Sequence, residues 1–219
     1  MPCPSCGATL PWRSGALPYV TCPQCRSLVL RRGEAAEAVG RVATLPFDMS
    51  PLRIGTTFRY REIGFEIVGR VRWDWGDGAW NEWFLSSSKG PPRWLAEAMG
   101  SFMLTEETPA ILSLPGLEGF AQDGVIERGA VVMIDGTPFV ATDVRKAVCA
   151  GSEGELPRPT SEGETLFNAD FRSPSGGALS LQRDAEGNSA WLGTYLDLPE
   201  LHPANLRAIE GWAIPANLK

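Results

Sequence analysis

Gly55-Thr56-Thr57-Phe58-Arg59-Tyr60-Arg61-Glu62-Ile63-Gly64-Phe65 aligns without a gap with Gly129-Ala130-Val131-Val132-Met133-Ile134-Asp135-Gly136-Thr137-Pro138-Phe139, 74 positions further on. Phe58 and Tyr60 fall on Val132 and Ile134, and Phe65 falls on Phe139. Each copy reads as strand, tight turn, strand. Asp135-Gly136 is a strong hairpin signal, and Gly64 takes that part in the first copy. A repeat of this kind predicts a duplicated β-module. Beyond the first hairpin, Phe65, Ile67, Gly69, Val71 and Trp73 share one face of a strand, with Glu66, Arg70 and Arg72 on the other. Leu85 and Trp94-Leu95 then parallel Leu181 and Trp191-Leu192, again strand, turn, strand. Phe65 to Trp94 is 29 residues and Phe139 to Trp191 is 52, so about 23 extra residues are assigned to the second copy, between Cys149 and Ala178. The Trp94–Gly100 and Pro203–Ile209 stretches read as short helices, and Gly33–Gly40 as a spacer or one helical turn.

The chain has 219 residues, with 18 Pro and 24 Gly, a composition that suits many turns and few long helices. No stretch approaches the roughly 20 apolar residues that span a bilayer. The N-terminus has neither the charged nor the apolar region of a secretory signal, so a cytoplasmic protein, not membrane-embedded, is expected. A formal charge of -6 argues against a general nucleic-acid binder, which works by neutralising phosphates.

Cys3, Cys6, Cys22 and Cys25 read C-x2-C-x15-C-x2-C, the spacing of a four-thiolate zinc site. Each Cys-Pro-x-Cys pair forms a tight knuckle, and two knuckles close a tetrahedron around one structural Zn2+. Pro4 and Pro23 pre-set φ within the knuckles, and Gly7 supplies the permissive turn after the first. Thr9–Trp12 and Pro18–Val20 read as two short strands. Paired disulfides or a redox C-x-x-C are the alternatives, and the expected reducing compartment disfavours the first. Residues 1–33 hold Arg13, Arg26, Arg31 and Arg32 and no carboxylate, which leaves -10 on the rest of the chain.

The expected fold is mostly β: a zinc ribbon (1–33), a linker (34–50), a first antiparallel barrel-like β-module (51–108), a linker (109–124) and a second module (125–219) with an inserted loop near 150–178. Leu45–Pro51 is the loop leading into the body. Trp73, Trp75, Trp80, Trp83 and Trp94 crowd 22 residues. Trp73 and Trp94 are expected in the core. Trp75 and Trp80, at a hairpin tip beside Glu82 and near Arg70 and Arg72, are the candidate surface for a ligand or partner. Glu82 is read either as a ligand-binding carboxylate or as a buried strand-edge acceptor. Gly151–Pro157, followed by Glu162 and Glu164, reads as an acidic solvated loop. His202, the sole histidine, lies in no catalytic motif, and Cys149 reads as a small buried apolar residue. No nucleotide-binding or hydrolase motif is present.

Cys3–Gly7, Cys22–Cys25, Leu52–Gly55, Phe65–Arg70, Trp80–Leu85, Trp94-Leu95 and Gly151–Pro157 together resemble the bacterial domain-of-unknown-function family four-one-seven-eight, over roughly residues 1–205. That family carries no established catalytic residues. The resemblance implies an accessory role in polyamine- or membrane-stress-related systems. These readings converge on a non-catalytic adaptor or binding protein that engages a protein partner or a small ligand. The alternatives are a zinc-ribbon nucleic-acid binder and an enzyme acting on a polyamine-like cation.

Overall fold

The computed structural model describes residues 1–45, 48–87 and 89–218. Pro46 and Phe47 of the expected lead-in loop lie outside the described residues. Among those described, thirteen strands form one antiparallel system. β1 (Tyr19–Thr21), β2 (Ser27–Arg32) and β3 (Ala35–Arg41) belong to the cysteine head. β4 (Thr57–Tyr60), β5 (Ile63–Asp74), β6 (Ala79–Ser87), β7 (Arg93–Ala98) and β8 (Ser101–Glu107) make the first half of the body. β9 (Val131–Ile134), β10 (Thr137–Leu156), β11 (Thr165–Arg172), β12 (Gly177–Asp184) and β13 (Gly187–Leu196) make the second. The fold is mostly β, as expected from the repeat.

The duplication is a structural one. Phe58 pairs Phe65 across the β4–β5 hairpin, and Val132 pairs Phe139 across β9–β10. The first turn is built by Arg61 and Glu62, both at positive φ (46° and 65°), where Asp135 and Gly136 serve in the second. Gly64, expected to be the turn glycine, instead lies within β5 opposite Arg59. A β-bulge interrupts β5 between Ile67 and Gly69, and another interrupts β10 between Ala141 and Asp143, the same positions shifted by 74.

These bulges correct the single-face reading of β5, because an extra residue moves the remainder of the strand to the other face. Phe65 and Ile67 pack with Trp83, Leu85 and Leu95 outside the sheet, whereas Val71 and Trp73 pack with Phe84 and Trp80 on the inside. Topological order also corrects the second match. β6 corresponds to β11, so the counterparts of Leu85 and Trp94 are Phe171 and Ser180, not Leu181 and Trp191. The expected insertion at 150–178 is accordingly no loop, since it holds the end of β10 and all of β11. Trp94–Gly100 is strand β7 and its turn, Pro203–Ile209 contains no helix, and Ala35–Arg41 is a strand of the head.

β5–β6–β7–β8–β13–β12–β11–β10 pair in sequence, and β10 returns to β5, which closes a ring of eight strands. Like strands meet at both junctions of the halves, β5 with β10 and β8 with β13. Both seams need glycine. A Cβ at Gly69 would stand 1.9 Å from the Glu155 carbonyl oxygen, and one at Gly193 would stand 1.9 Å from that of Leu104. Outside the ring, the first half is covered by Leu52, Phe58, Leu201 and Leu206, and the second by Ile111, Leu117 and Phe120, the last from α1 (Glu118–Asp123). No helix among the described residues is long and apolar enough to cross a membrane.

Arg70 and Arg72 lie on this covered outer face. Buried Asp48 takes ion pairs from Arg70, Arg72 (2.8 Å) and Arg207 (2.6 Å), and Arg70 stacks on Trp83 at 4.7 Å. Burial would push the Asp48 carboxyl up, but Arg70, Arg207 and Arg72 together hold it below its ordinary value. Removing one partner of a buried pair costs about 3–5 kcal/mol, so Asp48→Asn should lower stability by that order in urea unfolding at neutral pH. A depressed folded pKa contributes stability above the unfolded carboxylate value and loses it as pH falls through the folded one. The gap between wild type and Asp48→Asn should therefore close in strong acid.

Candidate functional site

The cysteine head repeats one local device twice. The Gly7 N–H donates to the Cys3 carbonyl at 2.8 Å, and the Arg26 N–H to that of Cys22 at 2.9 Å. Both residues sit at positive φ (76° and 61°), a conformation glycine takes freely and Arg26 at a cost. The four sulfurs lie within 4.8 Å of one another and could hold a metal ion. Cys3 and Cys25 are 3.7 Å apart, and Cys6 and Cys22 3.8 Å, far beyond the roughly 2.05 Å of a disulfide. The Ser27 hydroxyl and backbone lower the Cys25 thiol to about 6.

The head is joined to the ring by backbone and by charge. β1 pairs with the end of β10, Tyr19 opposite Leu156 and Val20 opposite Glu155. Glu155, expected in an acidic loop, is buried in strand, and its carboxylate accepts from the backbone N–H groups of Arg13 and Ser14. Arg31 donates to the Leu17 carbonyl at 2.6 Å and covers Trp12 at 4.4 Å.

The larger site is inside the ring. In antiparallel pairs, directly opposed residues share a face. Trp73 opposes Trp80, Val71 opposes Glu82, Glu82 opposes Ala96, and Ser180 opposes Asp170. These side chains face a lumen containing a cavity of about 320 Å³, walled by Trp73, Trp94, Trp191, Thr105 and Gln182. That is at the lower end of the roughly 300–1,000 Å³ of ligand pockets.

Glu82 is the polar centre of this cavity. Its Oε2 accepts from Trp73 Nε1 at 3.0 Å, and its Oε1 from Trp80 Nε1 at 3.1 Å and Gln182 Nε2 at 2.8 Å. Burial pushes the Glu82 carboxyl up, while the Trp80, Trp73 and Gln182 hydrogen bonds favour its ionised form. Trp73 and Trp80 stack at 6.3 Å, Trp75 is tilted against Trp80 at 5.7 Å, and Trp94 meets Trp191 edge to face at 6.4 Å. The mouth carries Glu107, Asp184 and Glu186. Arg158 pairs there with Asp184 at 2.7 Å and with Glu164 at 3.1 Å.

Of the expected ligand surface, Glu82 and the two tryptophans come together, but not as an exposed tip. Trp80 is buried against Glu82 and Trp75 is half-buried. Arg70 and Arg72 lie on the opposite face of β5, bound to Asp48. The second half supplies residues that the sequence reading missed: Asn168, Asp170, Ser180 and Gln182. The signal was available as period-2 polarity in β11 and β12, but the misplaced match hid it.

Cys149 opposes Trp73 at the β5–β10 seam, and burial pushes its thiol up to about 11. It should resist iodoacetamide at pH 7.5 in the native protein and be alkylated after denaturation, as read by peptide mass mapping. Rapid native alkylation at Cys149 would contradict the closed seam.

The model of a family described as Domain of unknown function (DUF4178) matches residues 53–198. No curated protein and no solved structure matches the chain. The matched span takes in the strands from β4 to β13, the ring among them, and leaves the cysteine head outside. By that match over most of its length, the chain belongs to the DUF4178 family.

Proposed function

We propose that this chain is a non-catalytic binding protein whose ring takes a small organic cation, with the cysteine head as a zinc-stabilised docking unit. The observation that carries the reading is Glu82, a carboxylate oriented by three donors and facing an aromatic cavity. An ammonium group there gains a charge partner and π faces in a site shielded from water. Glu107, Asp184 and Glu186 outweigh Arg158 at the entrance, which concentrates cations and repels anionic ligands. That acidity also weighs against nucleic acid. Three fixed donors hold the Glu82 carboxylate for binding rather than for proton transfer, which favours a binder over an enzyme. The polyamine association implied by the family resemblance gives the ligand its finer form, a polyamine-like cation in a cytoplasmic bacterial system. In that setting the loaded protein acts as an adaptor read by a protein partner.

The metal in this reading is one Zn2+. Four thiolates are a soft, tetrahedral donor set. With Zn–S bonds of about 2.3 Å, a tetrahedron has edges of about 3.8 Å, and the Cys3–Cys25 and Cys6–Cys22 separations of 3.7 and 3.8 Å match it. Four protein ligands fill that coordination sphere, so its role is to hold the head together.

Elemental analysis should find one Zn per chain, lost in Cys3→Ser. Calorimetry should show saturable binding of n-butylammonium. A charge-assisted contact contributes about 1.5–3 kcal/mol, so Glu82→Gln should weaken binding by about ten- to a hundredfold with its circular dichroism unchanged. Absence of saturable binding by the wild type would overturn the lumen as a cation site.

A further inference from the structure

The lumen has a second, smaller chamber of about 90 Å³ that shares Glu82, Ala96, Met103 and Ser180 with the first. Trp75, Trp80 and the largely exposed Met99 form its apolar wall, and Asp143, Arg145, Asp170 and Asn168 its polar one. Asp170 and Asp143 are directly opposed on β11 and β10, an arrangement of like charges that destabilises a sheet. Asp143 is compensated by Arg145 at 3.0 Å. Asp170 has no such ion pair among the described residues, and its buried Oδ1 accepts no hydrogen bond.

The rest of this polar wall is satisfied. Asn168 Oδ1 accepts from the Ser180 hydroxyl at 3.0 Å and from Gln182 Nε2 at 3.2 Å, and Gln182 also serves Glu82. Burial pushes the Asp170 carboxyl up to about 6, against the Ser180 and Asn168 side chains that lower it. A buried charge without a counter-charge is costly, and proteins keep such groups where a ligand supplies the partner.

The duplication provides an internal control. Phe84 in the first half occupies the position of Asp170 in the second, and Trp94 that of Ser180. Phe84 and Trp94 pack edge to face at 4.9 Å. The same fold position is thus filled by an apolar pair in one half, so the ring itself does not require a carboxylate there.

We infer that the small chamber is a subsite for a second ammonium group, held by Asp170, so that the lumen takes a linear dication with one head at Glu82 and the other at Asp170. This rests on the cation reading of the larger cavity and names the ligand class within it. About 90 Å³ accommodates an ammonium with a methylene or two, or roughly three waters at about 30 Å³ each. The Trp75 and Trp80 faces and the Met103 thioether suit the carbon chain next to the charge.

The test is calorimetry with putrescine and cadaverine against n-butylamine and n-pentylamine, on wild type and Asp170→Asn. Wild type should bind each diamine about ten- to a hundredfold more tightly than its monoamine. Asp170→Asn should lose that preference and bind each diamine no more tightly than its monoamine. Without ligand, Asp170→Asn should melt higher than wild type, because it removes an uncompensated buried charge opposite Asp143. Equal wild-type affinity for diamine and monoamine would overturn the second subsite and leave the cation site at Glu82 standing. Failure of both to bind would instead overturn the lumen reading itself. A lower melting temperature for Asp170→Asn with diamine preference intact would assign Asp170 to the fold and also overturn the proposal. So would stabilisation of wild type by ammonium chloride, absent in Asp170→Asn, without any diamine preference; that result would assign the chamber to a free ion.

Discussion

The pairing of β5 with β10 is the contact on which the rest of the molecule depends. Gly154 lies directly opposite Gly69, and a side chain at either would drive into backbone across the seam, at 2.2 and 1.9 Å. With the seam closed, Val71 and Trp73 turn inward to form the lumen, and Arg70 and Arg72 turn outward to meet Asp48. The same stretch of β10 then offers Glu155 and Leu156 to β1, so the cysteine head attaches to the strand that closes the ring. Directly after Leu156, Pro157 and Arg158 become part of the cavity wall. Seam, head attachment and cavity wall thus follow one another along β10 and the two residues after it.

Within that frame the two halves have diverged where the fold permits it. Their outer faces remain alike in kind: Phe58 and Phe65 in one, Val132 and Phe139 in the other, each under an apolar cover. Their inner faces do not. The first half lines the lumen with Trp73, Trp80, Phe84 and Trp94, and the second, apart from Trp191, with Asn168, Asp170, Ser180 and Gln182. An aromatic wall facing a polar wall is the arrangement by which pockets combine affinity with orientation. Glu82 is the exception that joins them, since it projects from the aromatic half and is held by Gln182 of the polar one.

Much of the fold was legible in the sequence because hairpins are local. The Asp135-Gly136 turn, the gapless repeat around it and the C-x2-C pairs each encode their geometry within a few residues. What escaped were features that depend on registration between distant strands. The bulge at Ile67/Gly69 leaves the alternation of β5 looking unbroken, because apolar residues are needed on both faces of a strand with a core outside and a lumen inside. Glu155 looked like loop charge because the backbone donors it satisfies, from Arg13 and Ser14, lie about 140 residues away. Arg70 and Arg72 were drawn to the tryptophans by sequence proximity, yet successive residues of a strand face opposite sides, so proximity to Val71 and Trp73 places them away from the site.

The location of the apolar core explains how a ring of this size can carry charges and space inside. Small barrels ordinarily fill their interior with side chains and depend on that packing. Here two of the main apolar clusters lie outside the ring, one over each half, contributed by the hairpins β4–β5 and β9–β10 and by the segments after β8 and β13. The segment after β8 brings Leu117 and Phe120 over the second half, and the segment after β13 brings Leu201 and Leu206 over the first, so each half is covered by chain leaving the other. Burial at roughly 25 cal/mol per Å² of apolar surface is therefore collected on the outer faces. That leaves the inner face free to keep Asp170 uncompensated and a cavity of about 320 Å³ open, features a protein relying on its lumen for stability could not retain.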